Sequence, residues 1–249
     1  MDRHNYLPWS ILSVALLLPI WWVAYKSAPF VESPFVIAKA LPGFLENPDT
    51  WANVWASLRR VVIGLAIGLS LGVGAAFAME RSPFYEHLLG VYVTGALRTP
   101  SAIAAVMTLA IFRGSEAGLY AVVAFITFPF ITISLRDGLR SADHELDQVS
   151  QIYRLGSWRH MRHVLAPFIA PYIFSALRNG HALAWKVIVV AEIFGVAKIG
   201  FGSQFERAFD YMLMVDVSLW LLVFMAIVLF VEYAVLRVIE RRVFRWRDA

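Results

Sequence analysis

Residues 61–79 carry no charge at all, and within them Gly64, Gly68 and Gly72 recur at every fourth position. A run of this length and composition can cross the ~30 Å hydrocarbon layer of a bilayer as one helix. The four-residue period places the three glycines in one stripe, along which a second membrane helix can approach closely. The run has companions. Residues 5–25 are also free of charge, and 88–112 form a third apolar stretch broken at Arg98-Thr99-Pro100. Residues 117–135, with Pro129 inside, 170–196 and 217–236 complete the series. Six spans of roughly 20 residues would occupy about half of such a chain. A composition of 59% apolar and 16% charged residues agrees, and excludes a soluble enzyme, a disordered tail and a fibrous repeat.

The ends of these runs say more than their interiors. Trp9, Trp21, Trp22 and Tyr25 flank the first run as interfacial anchors do. That run is too long for the apolar core of a signal peptide, and no small-residue cleavage site follows it. Residues 27–52 hold four prolines and mixed polarity, and are expected to form an extramembrane loop with a short interfacial helix. Residues 198–215 read as a glycine-rich loop. Gly68-Leu69-Ser70-Leu71-Gly72 has the letters of a nucleophile elbow, but that motif needs a strand-to-helix turn, and none exists inside an apolar helix. The chain has no cysteine, which excludes disulfides, thiol nucleophiles and cysteine-bound zinc.

The net charge of +4 lies at the ends of the apolar runs, so it suits lipid headgroups and cytoplasmic loops rather than nucleic acid. With both termini on the cytoplasmic side, twelve Lys and Arg fall inside and seven outside. Positively charged loops resist translocation, so this orientation is the expected one. It puts the polar stretch 136–163 in the cytoplasm. Within it Leu146, Val149, Ile152 and Tyr153 repeat at helical spacing, followed by a basic end at Arg154, Arg159, His160, Arg162 and His163. A solvated loop held to anionic lipid and a docking helix for a cytosolic partner both fit this pattern.

The fifth run carries charge. At 100° per residue, Arg178, His181, Trp185 and Glu192 fall within about 60° of one another, with Lys186 at the edge of the stripe. Charged groups at membrane depth face a bundle interior or a water-filled cavity. Arg178 and Glu192 are about 21 Å apart along the helix and cannot pair with each other. Arg98 is a possible neighbour for Glu192, and Glu232 for Arg178. The stripe can brace the bundle or line a path for a polar solute. His181 has no second histidine at ligand spacing, so no metal site is expected.

The segment from Asp147 to Pro167, DQVSQIYRLGSWRHMRHVLAP, resembles the cytoplasmic loop of ABC importer permeases, whose pattern is Glu-Ala-Ala, then Gly, then an apolar run ending in Pro. In the ungapped register Gln148 stands for the Glu, Val149 and Ser150 for the two Ala, and Arg154 for the Gly, with Gly156 two residues on. Further matches are Ser33-Pro34, Ala56-Ser57-Leu58-Arg59-Arg60, Leu97-Arg98-Thr99-Pro100, Phe128-Pro129, Leu177-Arg178, Ala184-Trp185-Lys186, the stretch from Val189 to Gly195, Gly200, Gly202 and the tail ending Arg245-Trp246-Arg247. They resemble the nitrate/sulfonate/taurine/bicarbonate branch of these permeases over about residues 30–247. Val106 replaces a second proline usual in span three, and Arg113-Gly114 an apolar-Gly pair.

The resemblance implies an all-α polytopic membrane protein with the type I ABC importer permease fold. It implies one permease domain over residues 1–249, with a coupling loop at about 136–168, in the cell inner (plasma) membrane. Implied partners are two cytosolic ABC ATPase subunits, a second copy of this chain, a periplasmic or lipid-anchored solute-binding protein and membrane lipid; nucleic acid is not among them. No G-x-x-x-x-G-K-[ST] phosphate loop occurs, so the chain is not expected to be an enzyme or to hold a cofactor; ATP and Mg belong to the partner ATPase. Gln148, Ser150, Arg154, Gly156, Trp158, Arg159 and Arg162 are the expected ATPase-docking residues. Arg98, Pro100, Arg178, His181, Trp185, Lys186 and Glu192 are the candidates for the translocation pathway. The solute is expected to be small and polar, and the basic residues Arg98, Arg178 and Lys186 favour an anion. The rival reading is an ion-coupled secondary transporter or channel in which Arg98, Arg178, Lys186 and Glu192 form a relay, although the halves show no inverted repeat. An intramembrane enzyme would need a nucleophile-base pair or an H-E-x-x-H motif, and neither is present.

Overall fold

Three times in succession a proline follows a residue that can cap a helix, and each pair opens a helix. The computed structural model describes residues 16, 19–23, 25–27, 31–141, 156–195 and 197–243. Helix α1 (Pro34–Glu46) starts on Ser33, α2 (Pro48–Arg81) on Asn47 and α3 (Pro83–Arg98) on Ser82, each capping side chain accepting from a backbone N–H two residues on. Proline at the first helical position lacks only an N–H that would be unpaired there anyway. Helix α2 is 34 residues long and begins well before the charge-free run, so the amphipathic stretch 48–60 and the span are one continuous rod.

Helix α4 (Ser101–Ile111) follows α3 after a break at Thr99-Pro100, and the two axes meet at 111°. Pro100 cannot donate to the α3 ladder, and Thr99 closes it by donating its N–H and hydroxyl to the Gly95 carbonyl. Helix α5 (Glu116–Arg140) contains Pro129 in its buried interior. The short α6 (Ser157–His160) passes through a π turn (Met161–Leu165) into α7 (Ala166–Phe194). Pro167 has no N–H for the carbonyl of His163, and the helix is wound wider just ahead of it. Residues 201–210, expected as loop, form a helix, α8 (Phe201–Asp210). Phe201 explains the correction: it is buried against Trp185, Trp220 and Phe224, with ring centroids 5.6–6.1 Å away. Helix α9 (Met214–Phe230), a second π turn (Val231–Leu236) and α10 (Arg237–Val243) run on as one rod.

Among the described residues, α2, α5 and the rod Met214–Val243 are long and apolar enough to cross a membrane, and α3 with α4 is so only as a bent pair, a broken span or a re-entrant loop. Helix α7 has the length, but its polar stripe interrupts its apolar character. The first expected span lies mostly outside the described residues. No strand occurs among the described residues.

The tightest pairing is α2 on α5, and the glycine stripe makes it. A Cβ on Gly64 would come within 2.5 Å of the Val123 Cβ, one on Gly72 within 2.7 Å of Ile131, and one on Gly68 would collide with Thr127. Ser70 sits on the exposed side of α2 and donates to the Ala66 carbonyl, so the Gly-x-Ser-x-Gly letters are ordinary helix. Helix α7 packs on α5 and on α4, and its buried Trp185, Ile188 and Ala191 share the main core with Val61, Ala105 and Val122.

Candidate functional site

Asn53, Ser57 and Arg60 precede Gly64 on the same face of α2, at spacings of four, three and four residues. All three are buried, and they turn the upper part of that face into a polar clamp. Glu192 of α7, with 0% exposure, meets Arg60, with 2%. The Glu192 carboxylate accepts from Arg60 Nη1 at 2.7 Å, from the Ser57 hydroxyl at 2.7 and 2.9 Å, and from the Gly202 N–H at 2.9 Å. Burying a carboxylate is costly unless its lone pairs are met by opposite charge and donors, and here they are.

The clamp holds the start of α8. Asn53 Oδ1 accepts from the Gly200 N–H at 2.8 Å, Ser57 Oγ from the Phe201 N–H at 2.9 Å, and Arg60 Nη1 also donates to the Ile199 carbonyl at 2.7 Å. Gly200 has φ +144°, and a Cβ there would lie 2.5 Å from the Glu192 carboxyl carbon, so no side chain fits between the acid and the loop. On its other edge the Arg60 guanidinium makes a two-toothed contact with Glu116, Nε to Oε1 at 3.0 Å and Nη2 to Oε2 at 2.9 Å, while Arg59 reaches the same carboxylate at 2.8 Å. Two cations and two carboxylates thus tie α2, α5, α7 and α8 together at one end of the bundle.

A second group of ion pairs closes the opposite end. Arg136 and Arg140 of α5 both engage Glu86 of α3, and Arg140 also lies 3.8 Å from Glu80. Arg178 of α7 pairs with Glu232 in the second π turn and lies 3.6 Å from Glu240. The expected partnership of Arg178 with Glu232 is therefore present. The partner of Glu192 is Arg60 rather than Arg98: Glu192 lies in the last third of α7, level with the start of the charge-free run in α2.

The expected pathway residues fall into two groups. Arg178, His181, Trp185 and Glu192 turn into the chain's own bundle, where Trp185 Nε1 donates to His181 Nε2 at 2.8 Å. Arg98, Pro100 and Lys186 are exposed. Lys186 shares an uncovered face of α7 with Ser175, Asn179 and Ala182. Arg98 borders a hollow of about 630 Å³ together with Glu86, His87, Gly90, Thr94 and Arg136. The four charges Arg98, Arg178, Lys186 and Glu192 therefore do not form one relay.

Of the expected docking residues, Gln148, Ser150 and Arg154 lie outside the described residues. Gly156, Trp158, Arg159 and Arg162 are exposed at the end of the bundle that also carries Arg140 and Arg237. Trp158 is 74% exposed, unusual for the largest apolar side chain unless something covers it.

Asn53, Ser57, Arg60 and Glu116 were missed as site residues. The signal for Arg60 was an acid in α7 with no base three or four residues from it on its own helix, in a chain whose second span is entered through Ser57-Leu58-Arg59-Arg60.

Residues 64–245 match the family described as "Binding-protein-dependent transport system inner membrane component". The chain is 24% identical over 247 residues to the taurine transport system permease protein TauC of Escherichia coli (strain K12), covering 95% of this chain and 89% of the relative. It is 23% identical to the nitrate import permease protein NrtB of a Synechocystis species, covering 85% and 80%. It is also 23% identical to the putative aliphatic sulfonates transport permease protein SsuC of Bacillus subtilis (strain 168), covering 99% and 90%. Among solved structures, a crystal structure of an amino acid ABC transporter with histidines superposes with a TM-score of 0.66 over 85% of this chain and 99% of that one, at 16% identity.

Proposed function

Because this chain belongs to the family of binding-protein-dependent transport system inner membrane components, we propose that it is the permease half of an ATP-driven importer for a small anion and works as a pair of identical copies. Its two ATPase subunits dock on the segment ahead of α7, through Gln148, Ser150, Arg154, Gly156, Trp158, Arg159 and Arg162. A solute-binding protein sits on the opposite face, beside α8. Both termini are cytoplasmic. Relatives named for taurine, nitrate and sulfonates support an anionic solute.

The observation that carries this reading is the exposed Trp158-Arg159 pair at the foot of α7. Force applied there passes through the π turn at Met161–Leu165 into a 29-residue helix. That helix ends in the clamp on Glu192, where it holds α8 at the other face. ATP-driven closure of the ATPase pair pushes the two docking segments together and tilts α7, so that the path opens alternately to each side. Such a device requires two bundle states with different affinities for ATPase and binding protein. Arg98, Pro100 and Lys186 border the path, while Arg178, His181, Trp185 and Glu192 hold its wall in place. ATP and its Mg²⁺ are bound by the ATPase partner.

The test is reconstitution in liposomes. This chain with its ATPase and binding protein should hydrolyse ATP faster when liganded binding protein is present and should accumulate solute. Solute movement by this chain alone under an ion gradient would refute the reading.

A further inference from the structure

The polar groups within the spans can be sorted by whether the protein itself neutralises them. Arg60 is matched by Glu192 and Glu116, Arg136 and Arg140 by Glu86, and Arg178 by Glu232. Two cations remain. Among the described residues, Arg98 and Lys186 have no carboxylate within ion-pair distance and no hydrogen-bond partner, and both are exposed.

Arg98 is the last residue of α3, but the chain continues there into α4, and Lys186 lies inside α7. Arg98 is about 22 Å along the α3 axis from Pro83, at the elbow where α4 departs, and Lys186 is about 12 Å inside the α7 terminus at Phe194. An unpaired cation at such depth costs a few kcal/mol against hydrocarbon, so it faces either water or a counter-charge. The hollow beside Arg98 is lined by His87, Gly90, Val91 and Thr94 and by the Glu86 carboxylate, which Arg136 neutralises, and the face of Lys186 carries Ser175, Asn179 and Ala182. The other faces of α3 are covered by exposed apolar groups such as Phe84, Leu88 and Tyr92, which suit lipid.

We infer that Arg98 and Lys186 are the solute contacts that make the path selective for oxyanions. This rests on the importer reading above and narrows it to two side chains. Arg98 offers a planar fork of N–H donors in a hollow large enough for a small oxyanion, with the hydroxyl of Thr94 and the ring of His87 beside it. Lys186 offers a second point charge on another helix, with the Asn179 amide on the same face. Arg59, Arg60, Arg136, Arg140 and Arg178 are already held by carboxylates and supply walls rather than contacts. Anionic lipid headgroups carry the same chemistry and are the competing source of the oxyanion.

The experiment uses the complete transporter in liposomes, with radiolabelled nitrate, bicarbonate and ethanesulfonate as probes and uptake measured per ATP hydrolysed. Arg98→Gln and Lys186→Gln should each lower that ratio about tenfold or more at an unchanged thermal midpoint, and Arg98→Lys and Lys186→Arg should recover most of it. Ratios within about twofold of wild type in both Gln variants overturn the inference. So does a wild-type transporter that hydrolyses ATP on signal but imports none of the three anions. Running each variant in phosphatidylcholine with and without phosphatidylglycerol separates the sources. An equal loss in both lipids supports solute contact, and a loss confined to phosphatidylglycerol assigns the cations to lipid and overturns it. If liganded binding protein fails to stimulate the wild-type ATPase, the importer reading itself fails and takes this inference with it. Normal stimulation with unaltered Gln variants sinks only the assignment of contacts.

Discussion

Glu192 of α7 and Arg60 of α2 meet at 2.7 Å inside the bundle, and the same carboxylate accepts the Gly202 N–H that opens α8. One acid therefore fixes two long helices and the helix between spans at once. Removing one member of a buried ion pair leaves the other charged and unpaired, at about 3–5 kcal/mol. Glu192→Ala should accordingly lower the thermal midpoint of the detergent-purified protein sharply and make the 197–204 segment accessible to protease. A midpoint unchanged from wild type would mean that the clamp carries no stability.

The Arg178–Glu232 contact should behave differently. Its side chains are 40% and 20% exposed, and exposed pairs contribute about 0–1 kcal/mol. Arg178→Ala should therefore cost well under half of what Glu192→Ala costs, measured in the same melting experiment. An equal or larger loss would show that the π turn carrying Glu232 depends on this pair.

How much of this was legible in the sequence follows from the same residues. The glycine stripe announced a close helix contact on α2 because its period is local and needs only one helix to read, but it did not say that the partner is α5. Arg178 with Glu232 could be guessed because both lie at the same end of consecutive spans. Arg60 could not, since its partners Glu116 and Glu192 stand 56 and 132 residues away. Helix α8 was misread for a related reason. Its glycines look like loop until it is known that they serve close approach to Glu192 and that Phe201 is a core residue. The elbow at Pro100 was visible as a break, but its 111° angle comes from α4 packing across α5 and α7.

Glycines in α2 offer an internal control on helix approach. Gly68 faces Thr127 with no room for a methyl group, whereas a Cβ on Gly74 meets nothing within 4 Å. Overpacking of this kind costs about 1–3 kcal/mol. Gly68→Ala should lower the melting midpoint and Gly74→Ala should leave it unchanged or raise it. Equal effects at both positions would show that α2 and α5 can separate without loss.

Trp158 and Arg159 are exposed, so truncating them should leave the fold intact. Trp158→Ala and Arg159→Ala should retain the wild-type melting midpoint while uptake falls relative to ATP hydrolysed in proteoliposomes. Wild-type coupling in both would remove these two side chains from the docking segment.

The orientation of the bundle can be tested directly because the chain has no cysteine of its own, so each introduced thiol is the only one present. Gly156 has open space around a would-be Cβ and precedes α6, at the end carrying Arg140 and Arg237. Tyr211 is 72% exposed beyond α8, at the end carrying Arg59 and Glu116. These ends face opposite solutions if α7 crosses the membrane between them: 29 residues at about 1.5 Å each outreach the ~30 Å hydrocarbon layer. Gly156→Cys should react with a membrane-impermeant maleimide only in inverted vesicles, and Tyr211→Cys only in right-side-out ones. Reaction of both from the same side would rule out α7 as a span. The reversed pattern would place Trp158 and Arg159 beyond the reach of any cytosolic ATPase and overturn the proposed coupling route.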